Sequence, residues 1–192
     1  LYGHQHGNQY SAAWLNEEKQ HFTCEYYAED PYSCGFIINF DSDPARGIDM
    51  SDYSGLQIKI KYVGDAPRFR IFLRDFNPRF DNVKEPNLSA KFMSVVIRTS
   101  DLAGPAFIKM SEFSVGEWWI RDFDVPRAHS APEFNNVTAL GIDFIFPGKN
   151  ELIIESVELV GEWVKKETLY FSIIVIWMTL ILWEGIFKVY KL

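Results

Sequence analysis

Histidine, cysteine and basic charge are all scarce in this sequence, and each shortage narrows what the chain can be. Four histidines among 192 residues leave little material for metal centres or imidazole acid–base chemistry. His4 and His6 form a His-x-His without nearby ligand partners and read as part of a terminal segment, while His21 and His129 are isolated. Lys and Arg number 19 against 26 acids, a formal net charge of −7. That balance argues against nucleic acid, whose phosphates need a basic surface. The Gly-x-Ser-x-Gly elbow, a phosphate-cradling glycine-rich loop and His-Glu-x-x-His are all missing, and with them the signatures of many hydrolases, nucleotide binders and metalloproteases. Carboxylates are plentiful, and Asp75, Asp81 and Glu85 around one long loop would allow a glycosidase pair by count alone. Acidic loops are ordinarily just solvated, so catalysis is not expected.

The two cysteines, Cys24 and Cys34, sit in CEYYAEDPYSC with a Glu-Asp-Pro turn signal between them. That spacing suits a disulfide closing a small loop, and two unrelated thiols are the alternative. A membrane anchor would place the domain in an oxidising compartment, which favours the bridge.

Long apolar runs are confined to one place, LYFSIIVIWMTLILWEGIFKVYKL from Leu169 to Leu192. From Thr168 to Trp183 there is no charged residue, and Glu184 is alone up to Phe187. As a helix, Leu169–Phe187 would be about 28 Å long, close to a hydrocarbon core of about 30 Å. Tyr170, Trp183 and Tyr190 lie near its ends, with Lys165/Lys166 and Lys188/Lys191 outside them. The run is apolar all round, which favours a transmembrane helix over 168–188 against a buried helix of a soluble fold. Glu184 is tolerable near headgroups or against another helix. The chain opens at Leu1 without a signal peptide, so a targeting segment or first membrane helix is expected upstream, and 189–192 reads as the start of a cytoplasmic extension.

The remainder is long enough for one domain with a real core. It reads as 1–22, a linker with a candidate helix at Ser11–Gln20, then 23–165, a domain of short alternating runs. In GLQIKIKYV, Leu56, Ile58, Ile60 and Tyr62 share one face and Gln57, Lys59 and Lys61 the other. In RFRIFLRDF, Phe69, Ile71 and Leu73 oppose Arg68, Arg70, Phe72 and Arg74. Lys91–Thr99, Trp118–Val125, Ala139–Phe146 and Leu152–Trp163 complete at least six strands, with Gly, Pro, Asn and Asp between them. The spacing predicts an all-β fold, an antiparallel β-sandwich of jelly-roll type, rather than βαβ units.

A sandwich can present one sheet face to a ligand. The phases opposite the core carry Arg70, Phe72 and Arg74, then Lys91 and Met93. On the tryptophan strand, either Trp118/Ile120/Asp122 or Trp119/Arg121/Phe123 must look away from the core. Aromatic rings flanked by Arg, Lys, Asp and Asn suit sugars, since a ring packs on the C–H face of a pyranose while polar forks take the hydroxyls. Arg70, Phe72, Arg74, Lys91, Trp119 and Arg121 are therefore the candidate ligand-binding residues. Arginine and lysine that merely keep a sheet edge soluble are the alternative. Asp41, Asp43 and Asp49, with Asp52, bunch hard oxygen ligands in one loop and are candidates for Ca2+, although the spacing matches no EF-hand and Asp is also a routine turn residue. Asn87-Leu-Ser and Asn136-Val-Thr are glycan acceptor patterns.

GIDMSDYSGLQIKIKY, FRIFLRDF, IKMSEFSVGEWW and ALGIDFIF…LIIESVELVGEW together resemble the galactose-binding-like jelly rolls, within them the family-11 carbohydrate-binding modules and the related complex I assembly factor domain. The resemblance covers roughly 36–163 and implies a saccharide-like ligand on the concave face. More arginine and fewer free aromatics than in a glucan binder shift that expectation to an anionic or small polar ligand, or to a protein partner. With the flanking segments, the chain is similar to extracytoplasmic sensor regions of bacterial membrane receptors, especially diguanylate cyclases with a GGDEF output, and next to sensor histidine kinases. That implies a periplasmic sensor domain of a homodimeric receptor in the inner membrane, its output domain outside these 192 residues. A membrane-tethered assembly module that docks a protein is the alternative.

Overall fold

The computed structural model describes residues 1–6, 9–30, 33–79, 89–161 and 166–190, with side chains described for these apart from 5–6, 9–10, 166–167 and 184–190. Asp81, Glu85, Asn87, Lys165 and Lys191 lie outside the described residues. The chain divides into two units, Leu1–Val160 and Gly161–Leu192.

Twelve strands are described: β1 (Gln5–His6), β2 (Gln9–Tyr10), β3 (Ala12–Asn16), β4 (His21–Tyr26), β5 (Cys34–Asn39), β6 (Tyr53–Gly64), β7 (Arg68–Asp75), β8 (Lys91–Arg98), β9 (Ala106–Lys109), β10 (Ser114–Val115), β11 (Val137–Phe144) and β12 (Gly148–Gly161). Apart from the small β1–β2 pair, they form two five-stranded sheets. The first has the order β10-β8-β7-β11-β5 and the second β3-β4-β12-β6-β9. The described pairings are antiparallel. The chain passes between these two sheets at β4–β5, β5–β6, β6–β7, β8–β9, β9–β10 and β11–β12, so successive strands repeatedly face each other across one core.

That core follows from period-two alternation. Leu56, Ile58 and Ile60 of β6 and Phe22 and Leu152 of β4 and β12 face Phe69, Ile71 and Leu73 of β7, with Ile142 and Phe144 of β11, all buried. Asn150, fully buried, is satisfied: its Oδ1 accepts from the Tyr62 hydroxyl at 2.7 Å and the Ala66 N–H at 3.2 Å, and its amide donates to the Gly148 carbonyl. A buried amide left unpaired would be costly, so this residue also fixes the Gly64–Ala66 turn.

Two sequence expectations fail. Ser11–Gln20 is not a helix; it contains β3 and the turn into β4, because Ala12 and Trp14 point at the core while Ala13 and Leu15 point out. Within the stretch read as a linker, Ala12–Asn16 and the first residues of β4 accordingly belong to the second sheet of the sandwich. Trp118–Val125 is not a strand: Glu117–Asp122 forms a short helix, α1, whose buried residue is Trp119, with Ile120 packed against the same cluster; the exposed Phe123 ring just after it lies 5.7 Å from the Trp119 ring at i,i+4.

In the second unit, Lys166–Tyr190 forms helix α2. Among the described residues no helix is long and apolar enough to cross a membrane.

Cys24 and Cys34 form the expected disulfide, with Cα atoms 6.1 Å apart. Because Cys24 is on β4 and Cys34 on β5, the bond staples the two sheets together as well as closing a loop. Replacing both cysteines by alanine removes a constraint on the unfolded chain of about 2.5–3 kcal/mol in the entropy model. The expected outcome in a thermal melt is a Tm lower by about 5–10 °C, with the β-sheet circular dichroism retained.

Candidate functional site: a cationic pocket on the outer face of the first sheet

The register of the first sheet decides which side chains meet on its outer face. Arg70 pairs with Asp143 on one side and Val96 on the other; Phe72 pairs with Gly141 and Ser94; Arg74 pairs with Ala139 and Phe92. Three rows of outward side chains are thereby stacked along β7. The middle row is closed down by size: a Cβ on Gly141 would lie 2.0 Å from the Phe72 ring, so only glycine lets that ring lie flat on β11. Phe72 then packs with Phe92, Trp119 and Val125 in a second apolar cluster under α1. The outer face is thus covered at one end and open at the other.

The open end is a pocket of about 310 Å3 lined by Tyr2, Ser33, Ile37, Arg70, Phe72, Arg74, Phe92, Trp118 and Asp143. Its polar wall is built around Asp143, whose side chain is 2 % exposed. Arg70 clamps this carboxylate in a fork, Nε to Oδ1 at 2.9 Å and a terminal nitrogen to Oδ2 at 2.5 Å. The Tyr2 and Ser33 hydroxyls donate to the same Oδ2 at 2.9 and 2.8 Å. Tyr2 is brought there by a two-way backbone pairing with Gly35. Burial, reinforced by the Asp143 charge, holds the Tyr2 phenol far above its usual range, so it stays a donor.

Arg74 is the contrasting cation. Its guanidinium stacks over Phe92 at 5.3 Å, beside Arg70 at 5.1 Å on the same ring. Its described hydrogen bond is a long one, 3.4 Å to the Ala90 carbonyl, and no carboxylate among the described residues pairs with it. Burial, with the neighbouring Arg70 charge, pulls its pKa down against the opposing pull of Tyr2 and Asp143. Two guanidinium charges and one carboxylate leave the pocket with an excess of one positive charge, next to the faces of Phe92 and the half-exposed Trp118.

Of the six expected ligand-binding residues, the structure brings Arg70, Phe72 and Arg74 into this pocket and leaves three out of it. Trp119 is 1 % exposed and donates its indole N–H to the Ser89 carbonyl at 2.6 Å; it anchors α1 to the sheet, and Trp118 is the tryptophan that looks outward. Lys91 is buried on the core side, its ammonium spent on the His129 and Ala131 carbonyls and on Glu133 at 2.8 Å. Arg121 points to solvent and pairs with Asp122. Asp41, Asp43 and Asp49 each accept the N–H two residues on, from Asp43, Ala45 and Ser51, which makes them turn caps. These bonds hold Asp41 and Asp49 below the usual carboxylate range. Among the described residues no cluster of His, Cys, Asp or Glu gathers as a metal site. The Asn136 acceptor pattern is likewise occupied structurally: its amide donates to the Ala45 and Phe76 carbonyls and its oxygen accepts from the Gly47 N–H.

Sequence reasoning missed Tyr2, Ser33 and Asp143, and of the two alternatives Trp118 and Trp119 it placed the buried one in the site. For Asp143 there was a signal: a lone acid in the run ALGIDFIF has to find a cation, and Arg70 lies one strand away. Compared with known proteins, the chain matches no protein-family model, and no curated protein matches it.

Asp75, beside Lys91, generates a pH prediction. Its carboxyl is pushed up to about 6, chiefly by burial, against the opposing pull of the Asn136 N–H and the Lys91 charge. A carboxylate with a raised native pKa binds its proton more tightly folded than unfolded, so it costs stability once pH rises through the interval from about 4 to about 6. Urea unfolding of the wild type and Asp75→Asn across pH 4.5–7.5 should show the variant gaining on the wild type as pH rises, by roughly 2 kcal/mol in total.

Proposed function

We propose that the sandwich is a ligand-sensing domain whose outer-face pocket takes a small anionic ligand with an apolar face, an acidic saccharide being the class that fits best. The observation that carries this reading is Arg74, a half-buried guanidinium with no carboxylate partner among the described residues, set beside the aromatic faces of Phe92 and Trp118. Arg70 is committed to Asp143 and orients the wall; Arg74 supplies the free charge; the rings give a pyranose a surface to stack on. In this reading the fold is a galactose-binding-like jelly roll. The apolar helix after Lys166 crosses the inner membrane, the sandwich lies in the periplasm as one half of a homodimer, and the regulated output is a cytoplasmic diguanylate cyclase outside this chain. Support for the membrane segment is the sequence itself, uncharged from Thr168 to Trp183, together with its exposed apolar surface in the structure.

The test is calorimetric titration of the full chain in lipid nanodiscs with glucuronate and galacturonate, against glucose and galactose. Expected are saturable binding of the acids, weak or no binding of the neutral sugars, and a 10- to 100-fold loss in Arg74→Gln, the worth of a charge-assisted hydrogen bond. Equal affinity for acid and neutral sugars, or an unaffected Arg74→Gln, overturns the anion reading. A folded protein that binds none of them returns the sandwich to the role of a protein-docking module.

A further inference from the structure

A second cavity lies at the other side of the first sheet, between the two sheets, and it has the opposite chemistry. It measures about 520 Å3, within the roughly 300–1,000 Å3 of small-molecule sites. Its walls are Ile38, Met50, Leu56, Leu140, Ile154 and Val157, from β5, the 40–52 segment, β6, β11 and β12. The cause is readable in β12. Leu152 and Ile154 point inward, Glu155 and Ser156 follow, and Val157 and Leu159 then pack against the core, so the inward phase slips by one residue. At the slip the strand cannot fill the space between the sheets. Glu155 is held outside by Lys59 at 3.0 Å and Lys61 at 2.5 Å.

The mouth is polar. Gln20, Ile154 and Glu155 line both this cavity and an adjoining open pocket that also carries Glu18, Lys19 and Lys59. Gln20 has φ of +47°, in the left-handed region that a non-glycine residue rarely adopts, and its carbonyl accepts the Ile154 N–H at 3.3 Å. A strained residue is thereby held across the opening. Among the residues that line the mouth, Lys19 and Lys59 stand against Glu18 and Glu155, so the rim offers charged groups of both signs with no net excess.

We infer that this inter-sheet cavity is a binding site for a single acyl chain with a polar head, the chain between the sheets and the head at the charged rim. An apolar cavity of this size favours hydrocarbon over water, since water there would lack polar partners. The charged groups at the mouth give the head a place that a purely apolar molecule would not use.

The experiment is photolabelling of the full chain in lipid nanodiscs with a twelve-carbon fatty acid carrying a diazirine near its methyl end. A parallel arm uses a phosphatidylglycerol with the same labelled chain, and labelled peptides are mapped by mass spectrometry. Expected is labelling of peptides carrying Ile38, Met50 or Ile154, competed by unlabelled laurate, and cut about tenfold in Val157→Trp, which fills the cavity. Labelling from the fatty acid makes the free acid the source, and labelling from the phospholipid alone makes it membrane lipid. Ile48→Trp, at a more exposed lining position, gives the same test if Val157→Trp fails to fold. Arg74→Gln should leave labelling unchanged, which separates this site from the anion pocket. Labelling confined to 161–192, or indifferent to both filling substitutions, overturns the inference.

Discussion

A carboxylate as buried as Asp143 has to have its charge balanced and its lone pairs filled, and the groups that do so come from separate stretches of chain. Arg70 arrives from the neighbouring strand, Ser33 from the segment just before β5, and Tyr2 from the start of the chain. The wall of the pocket is therefore a consequence of one charge. Remove it, and Arg70 loses its fork, Tyr2 and Ser33 lose their acceptor, and a guanidinium is left against Phe92 with nothing to face. The same charge explains why Arg74 matters. Asp143 has donors enough without it, and Arg74 lies four residues along β7 from Arg70, so among the described residues the second cation of this face is left over rather than absorbed.

Packing on the outer face sets the limits within which that charge acts. Gly141 lets Phe72 lie down on β11, Phe92 leans on Phe72 at 5.0 Å, and Trp119 closes over both through α1. A sheet face that is usually solvated becomes dry along half its length, which lowers the local dielectric beside the two guanidinium groups. Charge and aromatic surface are then neighbours because the cover stops at Trp118, which stays half exposed where Trp119 does not. Lys91 belongs to this support as well. By holding the His129 and Ala131 carbonyls it fixes the segment after α1, and its ammonium sits 5.6 Å from the Trp119 ring.

The core strands were legible in the sequence because alternation is a local signal: Leu56, Ile58 and Ile60, or Phe69, Ile71 and Leu73, declare a buried face without knowledge of the partner strand. The two misread segments were short, and there period is ambiguous. In EWWIRDF, Trp118/Ile120 mimics a strand, while Trp119/Phe123 carries the helical spacing that the structure uses. In SAAWLNEEKQ, alanine and leucine favour a helix until tertiary pairing with β4 overrides them. Arg70 and Arg74 were found because a cation inside a strand pattern is conspicuous. Their surroundings were not legible, since Tyr2, Ser33 and Asp143 converge from positions up to 141 residues apart. Lys91 and Trp119 were conspicuous for the same reason, yet each is satisfied internally by backbone carbonyls that no sequence pattern marks.

On the proposed reading the domain must do more than bind; its ligand has to favour one arrangement of the chain over another. The wall of the pocket is assembled from separate stretches of chain rather than from a single element. Tyr2 reaches it through two backbone hydrogen bonds to Gly35, and Ser33 lies one residue before the cysteine that staples the sheets. An anion arriving at Arg74 sits beside the Asp143 cluster and repels its charge, while drawing on the same pair of guanidinium groups. On that reading, binding at the outer face acts on the hydrogen bonds by which Tyr2 and Ser33 reach Asp143.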